Sequence, residues 1–223
     1  MNQLLSNFKI TIPAGVYIKD PETSILGKKI IEKGVNLINE LGFDDFNFKK
    51  LGTAIGSNES SIYRYFENKH KFLLYLSSWY WAWIEYQLVI ETHAIIDPKE
   101  KIIQAVKVIT RPVENDSNFT HVNSVLLHKI MIDEFSKSYL TRTVNQENEA
   151  GLFVAYKRVH LRLLNFFKSS NTSYLFPASL ANTILIGALQ QFYFKDHFPT
   201  LTDCNENVSP SDFFINLINK TFI

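Results

Sequence analysis

Cysteine is almost missing from this chain: Cys204 stands alone among 223 residues. One thiol closes no intramolecular disulfide and builds no Cys-cluster zinc site. A reducing compartment is therefore expected, with Cys204 an ordinary thiol. Glycine and proline are scarce too, at 8 and 7. That excludes collagen-like and low-complexity classes and favours long regular elements. Neither sign of charge dominates: 23 Lys+Arg face 22 Asp+Glu, a formal net charge of +1. No chain-wide basic excess announces a nucleic-acid partner. No window approaches the roughly 18 uninterrupted apolar residues of a membrane span. The richest aromatic stretch, Leu73 to Leu88, is broken by Ser77, Ser78, Glu85 and Gln87. Lys9 interrupts the first apolar residues, so no secretory signal is read and a cytoplasmic location without a membrane partner is expected. There is no Gly-rich phosphate loop, HExxH or nucleophile elbow. His121 and His128 lie seven apart with Asp133 beyond, but no third metal ligand can be placed. No catalytic residue, cofactor or metal is expected.

What is present belongs to a globular helical protein. Apolar residues make up 46% and charged residues 20%, and the length suits one or two domains. Residues 1–22 contain Pro13, Gly15 and Pro21 without helical period and read as an arm, with a short extended piece at Phe8 to Ile12. A helix is expected from Thr23 or Ser24, either able to cap it. Leu26, Ile30, Gly34, Leu37 and Leu41, flanked by Ile31, Val35 and Ile38, give it a broad apolar face. Gly42 should end it in a left-handed conformation. Two short helices follow: Phe48 to about Ile55, capped by Asn47, and a second capped by Ser57 or Asn58 and running to about Phe66, with Gly56 as the break. Asn68 caps a long helix from Lys69 towards Glu91. This order is that of a helix-turn-helix unit. Further helices are expected at 98–111, 121–138, 145–169, 178–195 and 210–221. No strand alternation is found, so the fold class is all-α.

The string GSNESSIYRYFENKHKFL carries the chemistry. Ile62 and Phe66 point inward at i, i+4, leaving Asn58, Glu59, Ser60, Ser61, Tyr63 and Arg64 on the surface. Short polar side chains let a helix enter a major groove about 12 Å wide. Ser hydroxyls can reach bases or phosphates, and Tyr and Arg can hold phosphates. Lys69 at a helix N-terminus would make a phosphate clamp, and Lys49 and Lys50 would grip the other wall of the groove. A short polar helix with nearby lysines equally suits a plain solvated face.

Residues 30–73 resemble the N-terminal DNA-binding domain of the TetR/AcrR family of bacterial transcriptional regulators. Ile30, Ile31, Gly34, Leu37, Ile38, Gly42 and Phe43 follow the family's first-helix pattern. Leu51, Gly56, Ile62, Tyr63, Tyr65, Phe66 and Lys69 follow its aliphatic, Gly turn and aliphatic-Tyr-x-Tyr-Phe-x-x-Lys pattern. The resemblance implies phosphate contacts at Tyr63 and Lys69, with Tyr65 beside them. It implies base reading at Glu59, Ser60 and Ser61, and a backbone contact at Lys49. The chain departs from the pattern at Lys33, Ile55, Ser57 and Glu59.

The resemblance also implies a helix-turn-helix domain at 23–84, joined by a long helix to a larger helical effector-binding and dimerisation domain at 85–223. It implies a homodimer on a palindromic double-stranded DNA operator, acting as a repressor. In the segment 178–195, Leu180, Ile184, Gly187, Ala188 and Gln191 make a small-residue face for a second copy, with Phe214, Leu217 and Ile218 as partners. Ordinary packing within the chain is the alternative. Trp79, Trp83, Tyr86, Phe153 and Tyr156, with His128 and His160 as polar fixtures, suit a pocket for an apolar or aromatic effector. An aromatic stripe at helical spacing equally suits a core. The rival function is a helical ligand-binding or interaction protein that has lost specific DNA binding.

Overall fold

The computed structural model of the chain describes residues 12–113 and 121–222. Every regular element among them is helical, so the all-α class is borne out. The α-helices are α1 (Ile25–Asp45), α2 (Phe48–Ile55), α3 (Glu59–Tyr63), α4 (Lys69–Thr92), α5 (Pro98–Thr110), α6 (Ser124–Tyr139), α7 (Val144–Glu149), α8 (Val154–Ser170), α9 (Pro177–His197) and α10 (Pro210–Phe222). No helix among the described residues is long and apolar enough to cross a membrane. The expected extended piece from Phe8 lies outside the described residues up to Ile12. The rest of the arm holds two single 3-10 turns, Ala14–Val16 and Pro21–Thr23.

The chain divides into two compact units. One holds residues up to 80 together with 113–154, and the other holds 81–112 with 155–223. This differs from the expected boundary between 84 and 85. The reason lies in α6, which packs on α1. A Glu134 carboxylate oxygen accepts the Phe43 N–H at 3.1 Å. Lys137 donates to the Asp44 carboxylate at 2.8 Å. A segment distant in sequence thus belongs with the N-terminal helices.

In the first unit, Ser24 caps α1 by accepting the Gly27 N–H at 3.0 Å. The α1 face Ile30, Ile31, Val35 and Ile38 is buried as its spacing requires. Gly34 leaves the space in which the Phe72 ring lies, since a Cβ there would come within 2.3 Å of it. Phe72 stacks on Phe46 at 5.5 Å between centroids and meets Phe66 edge-on at 5.0 Å. Phe66 in turn meets Tyr75 at 5.3 Å. Gly42 is not the left-handed terminus expected. It has φ 77 and ψ 159, a conformation open essentially to glycine alone, and the chain makes one more turn to Asp45.

In the second unit, α5 packs against α9 and α10, and α9 against α10. Thr110 and Ser211 share a hydroxyl hydrogen bond of 2.8 Å. The single helix expected over 145–169 is broken into α7 and α8, with Gly151 at φ 77 in the turn between.

Phe66 is fully buried. Phe66→Ala removes ring contacts to Phe72 and Tyr75 and should cost about 3–5 kcal/mol in urea melts. A loss below about 1 kcal/mol would place the ring at the surface.

Candidate nucleic-acid interface

Local chemistry builds the helix-turn-helix. Asn47 caps α2 by accepting the Lys50 N–H at 2.9 Å. Gly56 turns the chain in the left-handed region, at φ 70 and ψ 35. Asn58 caps α3 by accepting the Ser61 N–H at 3.1 Å. The helix proper ends at Tyr63, earlier than expected. The turn continues because Tyr65 and Phe66 both donate their N–H to the Ile62 carbonyl, at 2.8 and 3.1 Å. Ile62 and Phe66 are fully buried. Asn58, Glu59, Ser60, Tyr63 and Arg64 are exposed and Ser61 half-buried, so these six share the outward side, with Lys49 exposed on α2.

Hydroxyls on this side are largely tied to each other. Ser57 donates to Ser61 at 3.0 Å, and Ser61 donates to the Asn58 side-chain carbonyl at 3.1 Å. Thr53 donates to the Lys49 carbonyl at 3.2 Å. Tyr63 is 48% exposed, its ring edge-on to Phe48 at 5.1 Å.

Three expected contacts need correction. Tyr65 does not lie on the outward side: its ring is 3% exposed. Its hydroxyl pairs with Ser24 Oγ at 2.8 Å, and its carbonyl accepts the Ile18 N–H at 2.8 Å. It ties the arm and the α1 cap to the turn after α3. Lys69 is no open phosphate clamp. Its ammonium donates to the carbonyls of Phe43, Asp44 and Phe46 at 3.1, 2.9 and 3.3 Å. Those three bonds use its three N–H groups on the C-terminal end of α1. Lys50 is exposed, but its ammonium donates to the Asp45 carbonyl at 2.8 Å.

Sequence reasoning missed Lys29, which donates to the Ile55 carbonyl at 2.8 Å and so satisfies the end of α2. It also missed the buried carboxylates Glu134 and Glu147. Glu147 pairs with His70 Nε2 at 2.9 Å. The only sequence signal for Lys29 is a cation within reach of a helix C-terminus. The carboxylates carried none.

The effector candidates divide between the units. Trp79, His128 and Phe153 belong to the first, and Trp83, Tyr86, Tyr156 and His160 to the second. Trp79, Trp83 and His128 are buried, as a core requires. His128 Nδ1 lies 2.9 Å from the Tyr80 hydroxyl. Burial raises the Tyr80 phenol, so it keeps its proton. Tyr156 donates to Asn182 and meets Trp81 edge-on at 5.0 Å. His160 Nε2 lies 3.0 Å from the Ala178 carbonyl. His121 faces Glu22 at 3.4 Å, so it does not converge with His128. No group of His, Cys, Asp and Glu among the described residues is arranged for a metal.

The proposed dimer face is mostly internal. Leu180, Ile184, Ala188, Phe214 and Ile218 are buried within the single chain. A Cβ on Gly187 would lie 2.9 Å from the Phe214 ring. Gln191 receives the Thr202 hydroxyl and, at 3.7 Å, the Cys204 thiol. Leu217 alone keeps a half-exposed apolar side chain.

Residues 30–76 match the model of the bacterial regulatory proteins of the tetR family. The matched segment is 47 of the chain's 223 residues. Solved structures share the fold across most of the chain. AibR in complex with isovaleryl coenzyme A and operator DNA aligns with TM-score 0.58 and 15% identity, covering 85% of this chain and 97% of that one. The fatty acid degradation regulator FadR from Bacillus halodurans aligns with TM-score 0.56 and 17% identity, over 86% and 91%. The superantigen PfiT aligns with TM-score 0.60 and 14% identity, over 91% and 98%. No curated protein matches the sequence.

Two predictions follow from this geometry. Lys69→Met should lower stability by roughly 1.5–3 kcal/mol and leave the slope of log affinity against log salt unchanged. Lys49→Ala should reduce that slope by about 0.9 and leave the melt unchanged. A slope that falls with Lys69→Met would return this ammonium to the DNA. Burial pushes the His128 imidazole down to about 4, against about 6.5 when exposed. Between those values the unfolded chain binds more protons, so stability should fall as pH drops from about 6.5 towards 4. His128→Gln should flatten this acid limb in urea melts across that range.

Proposed function

We propose that the chain is a non-enzymatic, homodimeric repressor that binds a palindromic operator and is released by a small apolar effector. The observation that carries this is the exposed polar side of α3, held over a fully buried inner side at Ile62 and Phe66. One such helix reads only a few base pairs. Two copies spaced about 34–36 Å apart on one face of the duplex supply the rest. For the seam we favour the outward sides of α9 and α10 over the side lined by Gly187. Phe213 is 45% exposed there. Ile186, Phe194 and Leu217 are half-buried and Gln190 is exposed, at helical spacing. AibR, which shares the fold, is seen with isovaleryl coenzyme A, and this supports an effector that presents an apolar acyl group.

A second reading has one observation in its favour. Lys29, Lys50 and Lys69 are engaged by carbonyls of the helix-turn-helix head itself, the helices α1 to α3, which leaves few cations for phosphates. On that reading the chain is a helical ligand-binding or interaction protein without specific DNA binding.

A gel shift on the protein's own upstream DNA at fixed salt separates the two. The first reading expects a shift that survives excess non-specific competitor, and the second expects none. Phe213→Glu should yield a monomer in sedimentation with unchanged helical circular dichroism. Its operator affinity should fall roughly a thousandfold or more, to the non-specific level. A Phe213→Glu dimer would place the seam elsewhere.

A further inference from the structure

We propose that Glu59 sets the sequence preference of the head by accepting a hydrogen bond from the amino group of a cytosine in each operator half-site. This rests on the reading of the head as a DNA reader. The outward side of the helix-turn-helix holds few groups able to discriminate bases. The hydroxyl protons of Thr53, Ser57 and Ser61 are held by the Lys49 carbonyl, by Ser61 and by Asn58. The Asn58 side-chain carbonyl is taken by the Ser61 N–H and hydroxyl. Ser60 is exposed, but a hydroxyl donates and accepts equally well. Tyr63 and Arg64 lie at the C-terminal end of α3, whereas the N-terminal residues of a recognition helix meet base edges. Glu59 is the first residue of α3, exposed, and ion-paired to no described residue.

A carboxylate only accepts, so it needs an amino group. In the major groove G presents N7 and O6, and T presents O4, all acceptors that repel it. A offers N6–H₂ beside the acceptor N7. C offers N4–H₂ with no acceptor of its own in the groove. A carboxylate is also repelled by phosphates on either side, which sharpens the penalty wherever no amino group meets it. Glu59 therefore discriminates in two ways: it pairs with the cytosine amino group, and it rejects bases that present acceptors at its position.

The test is selection from a random duplex pool with the full-length protein and with Glu59→Ala and Glu59→Gln. The wild type should enrich a symmetric motif with a C·G pair at one position per half-site. Glu59→Ala should lose information at that position only and bind the wild-type consensus roughly five- to tenfold more weakly. Glu59→Gln should shift that position towards A, because an amide pairs with N6 and N7 together. Melts should match across the three proteins. If Glu59→Ala binds all sequences more tightly with the motif unchanged, the carboxylate only repels phosphate and the proposal falls. If it lowers the melting temperature and weakens all sequences alike, Glu59 is a structural acid of the helix start and the proposal falls. A wild type that enriches no motif overturns the DNA-reading function itself, an outcome distinct from either.

Discussion

The stretch of α4 from Phe72 to Ile84 is buried on every side, and the rest of the fold answers to that. A helix without a polar stripe cannot lie at a surface, so it must be covered all round. Its coverings are specific. Gly34 of α1 gives up its side chain so that Phe72 can lie against that helix. Tyr80 meets His128 of α6, and Trp81 meets Tyr156 of α8. Its two serines sit inside rather than marking a solvent face, and Ser78 finds the Leu152 carbonyl at 3.4 Å. His128 and Tyr156, which the sequence offers to an effector pocket, are among the residues that cover this helix.

Lysine follows a second constraint. Each helix of the head ends with carbonyls that lack partners within the helix. Lys69 and Lys29 reach across to satisfy the ends of α1 and α2, where the helix dipole also favours a cation. A cation used this way orders the head but neutralises no phosphate. Sequence spacing cannot separate the two uses, because both place a lysine beside a helix end.

Most of the fold was legible. Ser24, Asn47, Asn58 and Asn68 act as the caps their types suggest, and Gly56 adopts the left-handed turn expected of it. These are local choices made within a few residues. The misreadings involve distant partners. Gly42 is a kink rather than a terminus because Phe43, the next residue, gives its N–H to Glu134, 91 positions away. Tyr65 is internal because the arm and Ser24 close over it. The outward residues of α3 were legible by period alone, whereas the state of their hydroxyls needed coordinates.

Gly187 shows where pattern reasoning reaches its limit. A small residue at helical spacing states that something comes close. It does not say whether the neighbour belongs to the same chain. Here the neighbour is Phe214 of the same chain. The same logic gives weight to Glu134 and Glu147. Each is a buried carboxylate from a distant segment, held by Phe43 and Lys137 in one case and by His70 in the other. Removing a partner from a buried charge is far costlier than losing a surface pair. Contacts of this kind are made fully or not at all, so α6 and α7 fix the head in one arrangement instead of merely leaning on it. The ends of α1 and α4 that flank α2 and α3 are therefore tied to residues 77 and 91 places further along the chain, outside the matched segment altogether.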